Sequence, residues 1–194
     1  MNILVDLLPD TVDVDGSKHI INTDFRIGIL FEELMQDNTL SSEQKVYLAL
    51  NLYYKEMPTN IEQAIKEIEW FYRCGKDIQL GTKTKTKATN KEDKIYSFEY
   101  DDEYIYSAFL TQYRIDLQDV KTLHWWKFKA MFKSLDEDSR ISKIMGYRAM
   151  KITDEMSDND KKHYREMKRI YSLPDLRSEN EKELDFHNSL ASVF

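Results

Sequence analysis

The chain has 194 residues, of which 41% are hydrophobic and 12% aromatic, enough apolar side chain to offset backbone ordering in one folded domain and to exclude wholesale disorder. Its formal net charge of −7 argues against nucleic acid as the main partner, because nonspecific affinity for a phosphate backbone comes from clustered cations. A single cysteine, Cys74, excludes an internal disulfide or a multi-thiolate zinc site, and no run approaches the roughly 18 apolar residues of a membrane span, so a reducing cytoplasm is expected.

Thr11 to Asn22 reads as two short β-prone runs around Asp15-Gly16, a pair able to supply positive φ, which predicts a hairpin. Asn22, Thr23 or Asp24 then caps a first helix whose Ile27, Leu30, Phe31 and Leu34 follow the i, i+3, i+4, i+7 spacing of a buried stripe. Ser41 or Ser42 opens a second, with Val46, Ala49, Leu50 and Tyr53 on one side, ended by Pro58. Asn60 starts a third, with Ile61, Ala64, Ile65, Ile68 and Tyr72 in register and Gly75 at its end.

Between about residues 76 and 94 the periodicity disappears into alternating threonine and lysine, which predicts a mobile loop. A short strand is expected over Ile95 to Phe98, then a helix carrying Tyr106, Phe109, Leu110 and Tyr113 behind the acidic cap Asp101-Asp102-Glu103. The run from Leu123 to Phe132 holds two of the three tryptophans. On a helical wheel its apolar residues cover most of the circumference, with Lys129 and Lys133 as a narrow polar stripe. It should be the centre of the fold, with Leu123, Trp125, Trp126, Phe128 and Phe132 as core.

A short helix is expected from Ser139 to about Tyr147, a longer one bearing Tyr164, Met167 and Tyr171, and a last one after Pro174 with Leu184, His187, Leu190 and Ala191. From Asp154 onward charge dominates, which places these helices on the surface of the core or projecting from it. The fold class is therefore mainly α: a multi-helix domain over residues 1–175 with a small N-terminal β-hairpin, then a charged C-terminal helix or tail over 176–194.

Catalytic chemistry is not legible. The five glycines stand singly, whereas a phosphate-cradling loop needs them clustered. Cys74 lies where a helix dipole disfavours a thiolate, and no histidine has a second ligand at metal spacing. His124 reads as a core histidine satisfied by a hydrogen bond, with a perturbed site residue as the alternative. Asp13-Val-Asp15-Gly16 lacks the other ligands of a calcium loop and reads as a turn. Asp101, Asp102, Glu103, Asp116 and Asp119 read as cap carboxylates before acid-base pairs. Lys76, Lys83, Lys85, Lys87, Lys91 and Lys94 form the best electrostatic segment, without the aromatics that nucleic-acid grooves interleave. No enzyme, cofactor or metal is expected.

Several separated motifs stand in order: Ile21-Asn-Thr-Asp-Phe-Arg26, Leu52-Tyr-Tyr54, Trp70-Phe-Tyr-Arg-Cys-Gly-Lys76, Tyr96-Ser-Phe-Glu-Tyr-Asp-Asp-Glu-Tyr-Ile-Tyr106, Ile115-Asp-Leu-Gln-Asp119, Trp125-Trp126 and Ser142-Lys-Ile-Met-Gly-Tyr-Arg148. With them the chain resembles the "gene product fifteen" family of siphophages and prophages of Gram-positive bacteria, up to about Pro174. The resemblance implies a non-enzymatic role in tail morphogenesis: a tail assembly chaperone that binds the tape measure protein and recruits tail tube subunits in the host bacterial cytoplasm, then leaves before the virion matures. The alternatives are a structural tail or connector component of the virion, and a nucleic-acid-binding or regulatory phage protein. The sequence allows a homo-oligomer and gives no sign of a membrane partner. Half-wet tyrosines suit a partner surface, so Tyr53, Tyr54, Tyr104 and Tyr106 are the contact candidates.

Overall fold

The computed structural model describes residues 1–76 and 94–174. The expected Thr/Lys segment, apart from its ends Lys76 and Lys94, and the expected helix after Pro174 lie outside the described residues.

The hairpin pairs β1 (Thr11–Val14) antiparallel with β2 (Ser17–Ile20). Asp15 and Gly16, at φ 52° and 75°, make the two-residue turn whose twist matches the strands. Val12 and Val14 enter the core, while Gln63 accepts the Asp15 amide at 3.0 Å and Asn60 donates to the Asp15 carboxylate at 2.9 Å. The Asp13-to-Gly16 fragment is thus a turn bound to the start of the third helix.

Seven helices follow among the described residues: α1 (Phe25–Gln36), α2 (Ser42–Tyr53), α3 (Ile61–Tyr72), α4 (Asp102–Tyr113), α5 (Trp125–Lys133), α6 (Arg140–Ala149) and α7 (Asp158–Ile170). Mainly α architecture with one small hairpin is what the residue spacing predicted. Caps explain most starts: Asp24, Asn60, Ser139 and Ser157 each accept a first-turn amide, and Ser41 with Gln44 forms a reciprocal capping box.

α5 is central. Trp125 and Phe128 are fully buried, and Leu123, Trp126 and Phe132 are buried with them. Phe25 and Phe109 each stack on the Phe128 ring with centroids 4.9 Å away, and Trp125 stacks on it at 5.7 Å. Both indoles also serve α3, whose last carbonyls lack intrahelical partners: Trp125 Nε1 donates to Tyr72 O at 2.9 Å and Trp126 Nε1 to Phe71 O at 2.7 Å. The tryptophans therefore seal a helix end as well as fill the core.

Three expectations need correction. First, the helix begins at Trp125 rather than Leu123, and its exposed side carries Lys127, Ala130 and Lys133. Lys129 is half-buried, its ammonium 5.0 Å from the Trp125 ring and 5.5 Å from Tyr72, where cation–π attraction offsets the burial that pushes its pKa down. Second, Ile95 to Phe98 forms no strand. Among the described residues no strand pairs with it; side chains hold its backbone, Arg148 donating to Ile95 O at 3.1 Å and the Asp101 carboxylate accepting the Ser97 amide at 2.8 Å.

Third, Asp101 does not cap α4 with its side chain. That carboxylate turns inward, is 1% exposed, and receives Arg148 bidentately at 2.6 and 2.9 Å. Asp102 and Glu103 remain exposed in the first turn, where the helix dipole favours them. Asp116 accepts the Gln118 amide and the Tyr106 hydroxyl, as a local turn carboxylate does.

Candidate docking groove

The C-terminal half of α1, the following loop, α2 and the Glu99-Tyr100 turn enclose an open groove of about 700 Å³. Its floor is Leu30, Leu34, Leu48, Leu52 and Tyr100. Leu30, Leu48 and Tyr100 are 46%, 39% and 42% exposed, and Met35 and Tyr47, next in sequence to Leu34 and Leu48, are 40% and 63% exposed. Contiguous exposed leucines are costly in water and mark a contact surface more often than scattered single residues do.

Geometry explains the exposure. α1 buries Phe25, Gly28 and Phe31, so the face pressed on α5 is offset from the expected Ile27/Leu30/Phe31/Leu34 stripe. Leu30 is left on the margin. On α2 the buried side is Ala49, Leu50 and Tyr53, as the spacing predicts. Leu48 lies off that stripe, a feature of the sequence that the stripe reading passes over.

The rim is acidic. Glu33, Asp37 and Glu99 line it, and among the described residues no lysine or arginine does. Glu33 is half-buried, and burial, with Glu99 and Glu32 nearby, raises its pKa above the usual carboxylate range; Lys94 works in the opposite direction. Lys94 itself is hydrogen-bonded to Gln36, and Lys45 Nζ donates to Met35 O at 2.9 Å. Behind the rim Glu32 accepts the hydroxyls of Tyr72 and Tyr96, pinning α1 to α3 and to the 95–98 segment.

A second apolar surface lies at the N-terminal end. Leu4, Val5 and Leu7 are 87%, 78% and 93% exposed. The chain then turns inward: Leu8 packs on the core and Pro9 O contacts His124 Nε2 at 3.1 Å.

The tyrosine candidates do not meet at one site. Tyr53 is 1% exposed, with its ring against Phe31 and Phe71, and Tyr54 is buried with its hydroxyl donated to Ala64 O at 2.9 Å. Burial pushes both phenols above their ordinary range. They are core residues because the end of α2 turns in against α3. Tyr104 and Tyr106 are half-buried on α4, and neither lines the groove.

His124 is the N-cap of α5: Nδ1 accepts the Trp126 amide at 3.1 Å while Nε2 faces Pro9 O. That pairing requires the neutral imidazole with its proton on Nε2. Cys74 is half-buried at the end of α3, and burial raises its pKa. Among the described residues no group of three or more His, Cys, Asp or Glu side chains is arranged to hold a metal ion, and no helix is long and apolar enough to cross a membrane.

No curated protein and no solved structure matches the chain. The profile of one protein family does, over residues 4–173, which takes in all nine described elements and both walls of the groove. By that match the chain belongs to the family described as Bacteriophage Gp15 protein.

Proposed function

We propose that this phage protein is a non-enzymatic tail assembly chaperone, which binds the tape measure protein and recruits tail tube subunits in the host bacterial cytoplasm. The observation that carries the reading is the groove with exposed Leu30 and Leu48 on a protein whose aromatic core is otherwise closed. A groove of that kind receives the apolar stripe of an amphipathic helix and shields it from aggregation. The exposed N-terminal leucines and valine supply a separate apolar surface, as a protein engaging two different partners requires.

Coexpression with the tape measure protein tests the proposal. The tape measure should become soluble and copurify with the chain, and purified virions should lack the chain by mass spectrometry. Failure of both rescue and copurification sinks the chaperone reading. Stoichiometric presence in mature particles replaces it with a structural tail or connector component.

A further inference from the structure

The groove's apolar floor and its charge together narrow what can occupy it. Three carboxylates stand on the rim, from α1, the loop after it and the Glu99 turn, with no cation among the described lining residues; Lys94, bonded to Gln36, and Lys45, bonded to Met35 O, stand beside it. Glu33 makes no ion pair among the described residues, and it shares its surroundings with Glu32 and Glu99. An incoming apolar segment would desolvate these carboxylates further. Such desolvation is unfavourable unless the segment itself supplies cations. A neutral apolar helix would therefore seat poorly, and an acidic one worse.

We propose that the groove is built for an amphipathic helical segment of a partner protein that carries lysines or arginines flanking its leucine-like stripe. Leu30, Leu34, Leu48 and Leu52 receive the stripe, and Glu33, Asp37 and Glu99 receive the flanking cations. The inference rests on the groove being the partner site of the preceding section and adds the partner's chemistry. Electrostatic complementarity of this kind sets specificity and association rate more than raw affinity, so it would select one basic amphipathic segment among many apolar ones.

Two labelled peptides of about 18 residues, long enough to hold a helix, provide the test: leucines at i, i+3, i+4, i+7 with lysines between them, and the same pattern with glutamates. Fluorescence anisotropy with the full chain should give at least about tenfold tighter binding for the lysine peptide, the sum of several modest charge contacts. The preference should shrink at high salt. Glu33→Gln combined with Glu99→Gln should remove most of it, whereas Glu155→Gln with Asp158→Asn, away from the groove, should not. Leu48→Ser should weaken both peptides.

Equal binding of the two peptides, or binding indifferent to the groove substitutions, overturns the proposal. So does concentration-dependent self-association of the free chain that Leu48→Lys abolishes, because the occupant would then be a second copy. A lysine peptide that seats as described while the tape measure fails to copurify retires the chaperone reading and leaves this one standing. Copurification without peptide discrimination does the reverse.

Discussion

Gly28 sits where α1 meets the indole of Trp125, and a Cβ at that position would fall 2.3 Å from Trp125 Cε3. Two effects of Gly28→Ala oppose each other. Alanine in place of glycine stabilises a helix interior by about 1 kcal/mol, but forcing a methyl group into a packed core costs about 1 to 3 kcal/mol or more. Trp125 is fully buried and tied to Tyr72 O, so it has little room to retreat and the clash should win. Urea denaturation should show a net loss; a net gain would mean that α1 can lift off the indole freely. His124 couples the same region to pH. Burial holds its imidazole below the usual histidine range, so the unfolded chain takes up a proton first as pH falls. The site's stabilisation is complete above the unfolded pKa of about 6.5 and is lost as pH drops through the lower folded value. His124→Asn keeps an acceptor for the Trp126 amide without titrating. Its thermal midpoint should therefore fall less than the wild type's between about pH 7.5 and 5.5, and parallel curves would clear the histidine of that role.

Among the elements, α7 depends on others most. It buries no residue and is held by Tyr147 stacked on Tyr171 at 5.9 Å and by Arg148 Nε donating to Tyr171 O at 2.6 Å. The same guanidinium pairs with Asp101 and holds Ile95 O, so one side chain fastens α6, the start of α4, the segment before it and the end of α7. With the pair's side chains 9% and 1% exposed, removing one partner strands a buried charge. Arg148→Met should cost about 3 to 5 kcal/mol, and adding Asp101→Leu should restore part of it. In native-state hydrogen exchange the single variant should lose protection in α7 before α3. A loss under about 1 kcal/mol would reduce the pair to an ordinary surface bridge. None of this was legible from sequence: an acidic residue before an apolar run reads as a cap, and its true partner lies 47 positions away. The helices themselves were legible, because capping side chains and apolar spacing act within a few residues. Ile95 to Phe98 misled because β-prone composition says nothing of whether a partner strand exists.

At the scale of the whole molecule, core and groove are made from the same kinds of residue, and periodicity cannot separate them. Tyr53 and Tyr54 look suited to a half-wet surface yet lie inside, whereas Leu30 looks like core yet is 46% exposed. What decides is the crossing of α1 over α5, set by Gly28 and Trp125, a contact between positions nearly a hundred residues apart. The aromatic run was readable as the core because residues apolar on nearly every side have few alternatives to burial. Stability and partner binding should therefore be separable by mutation. Trp126→Ala removes a buried indole together with its bond to Phe71 O and should cost about 3 to 5 kcal/mol. Leu48→Lys changes an exposed helix position and should move stability by no more than about 0.5 kcal/mol. In the coexpression assay Leu48→Lys should fail to keep the tape measure protein soluble while melting like the wild type; Trp126→Ala should fail because it unfolds. If Leu48→Lys rescues fully, the partner surface lies elsewhere and the exposed N-terminal residues become the place to mutate next. If Trp126→Ala melts normally and only binding is lost, α5 faces the partner and the assignment of core and surface must be reversed.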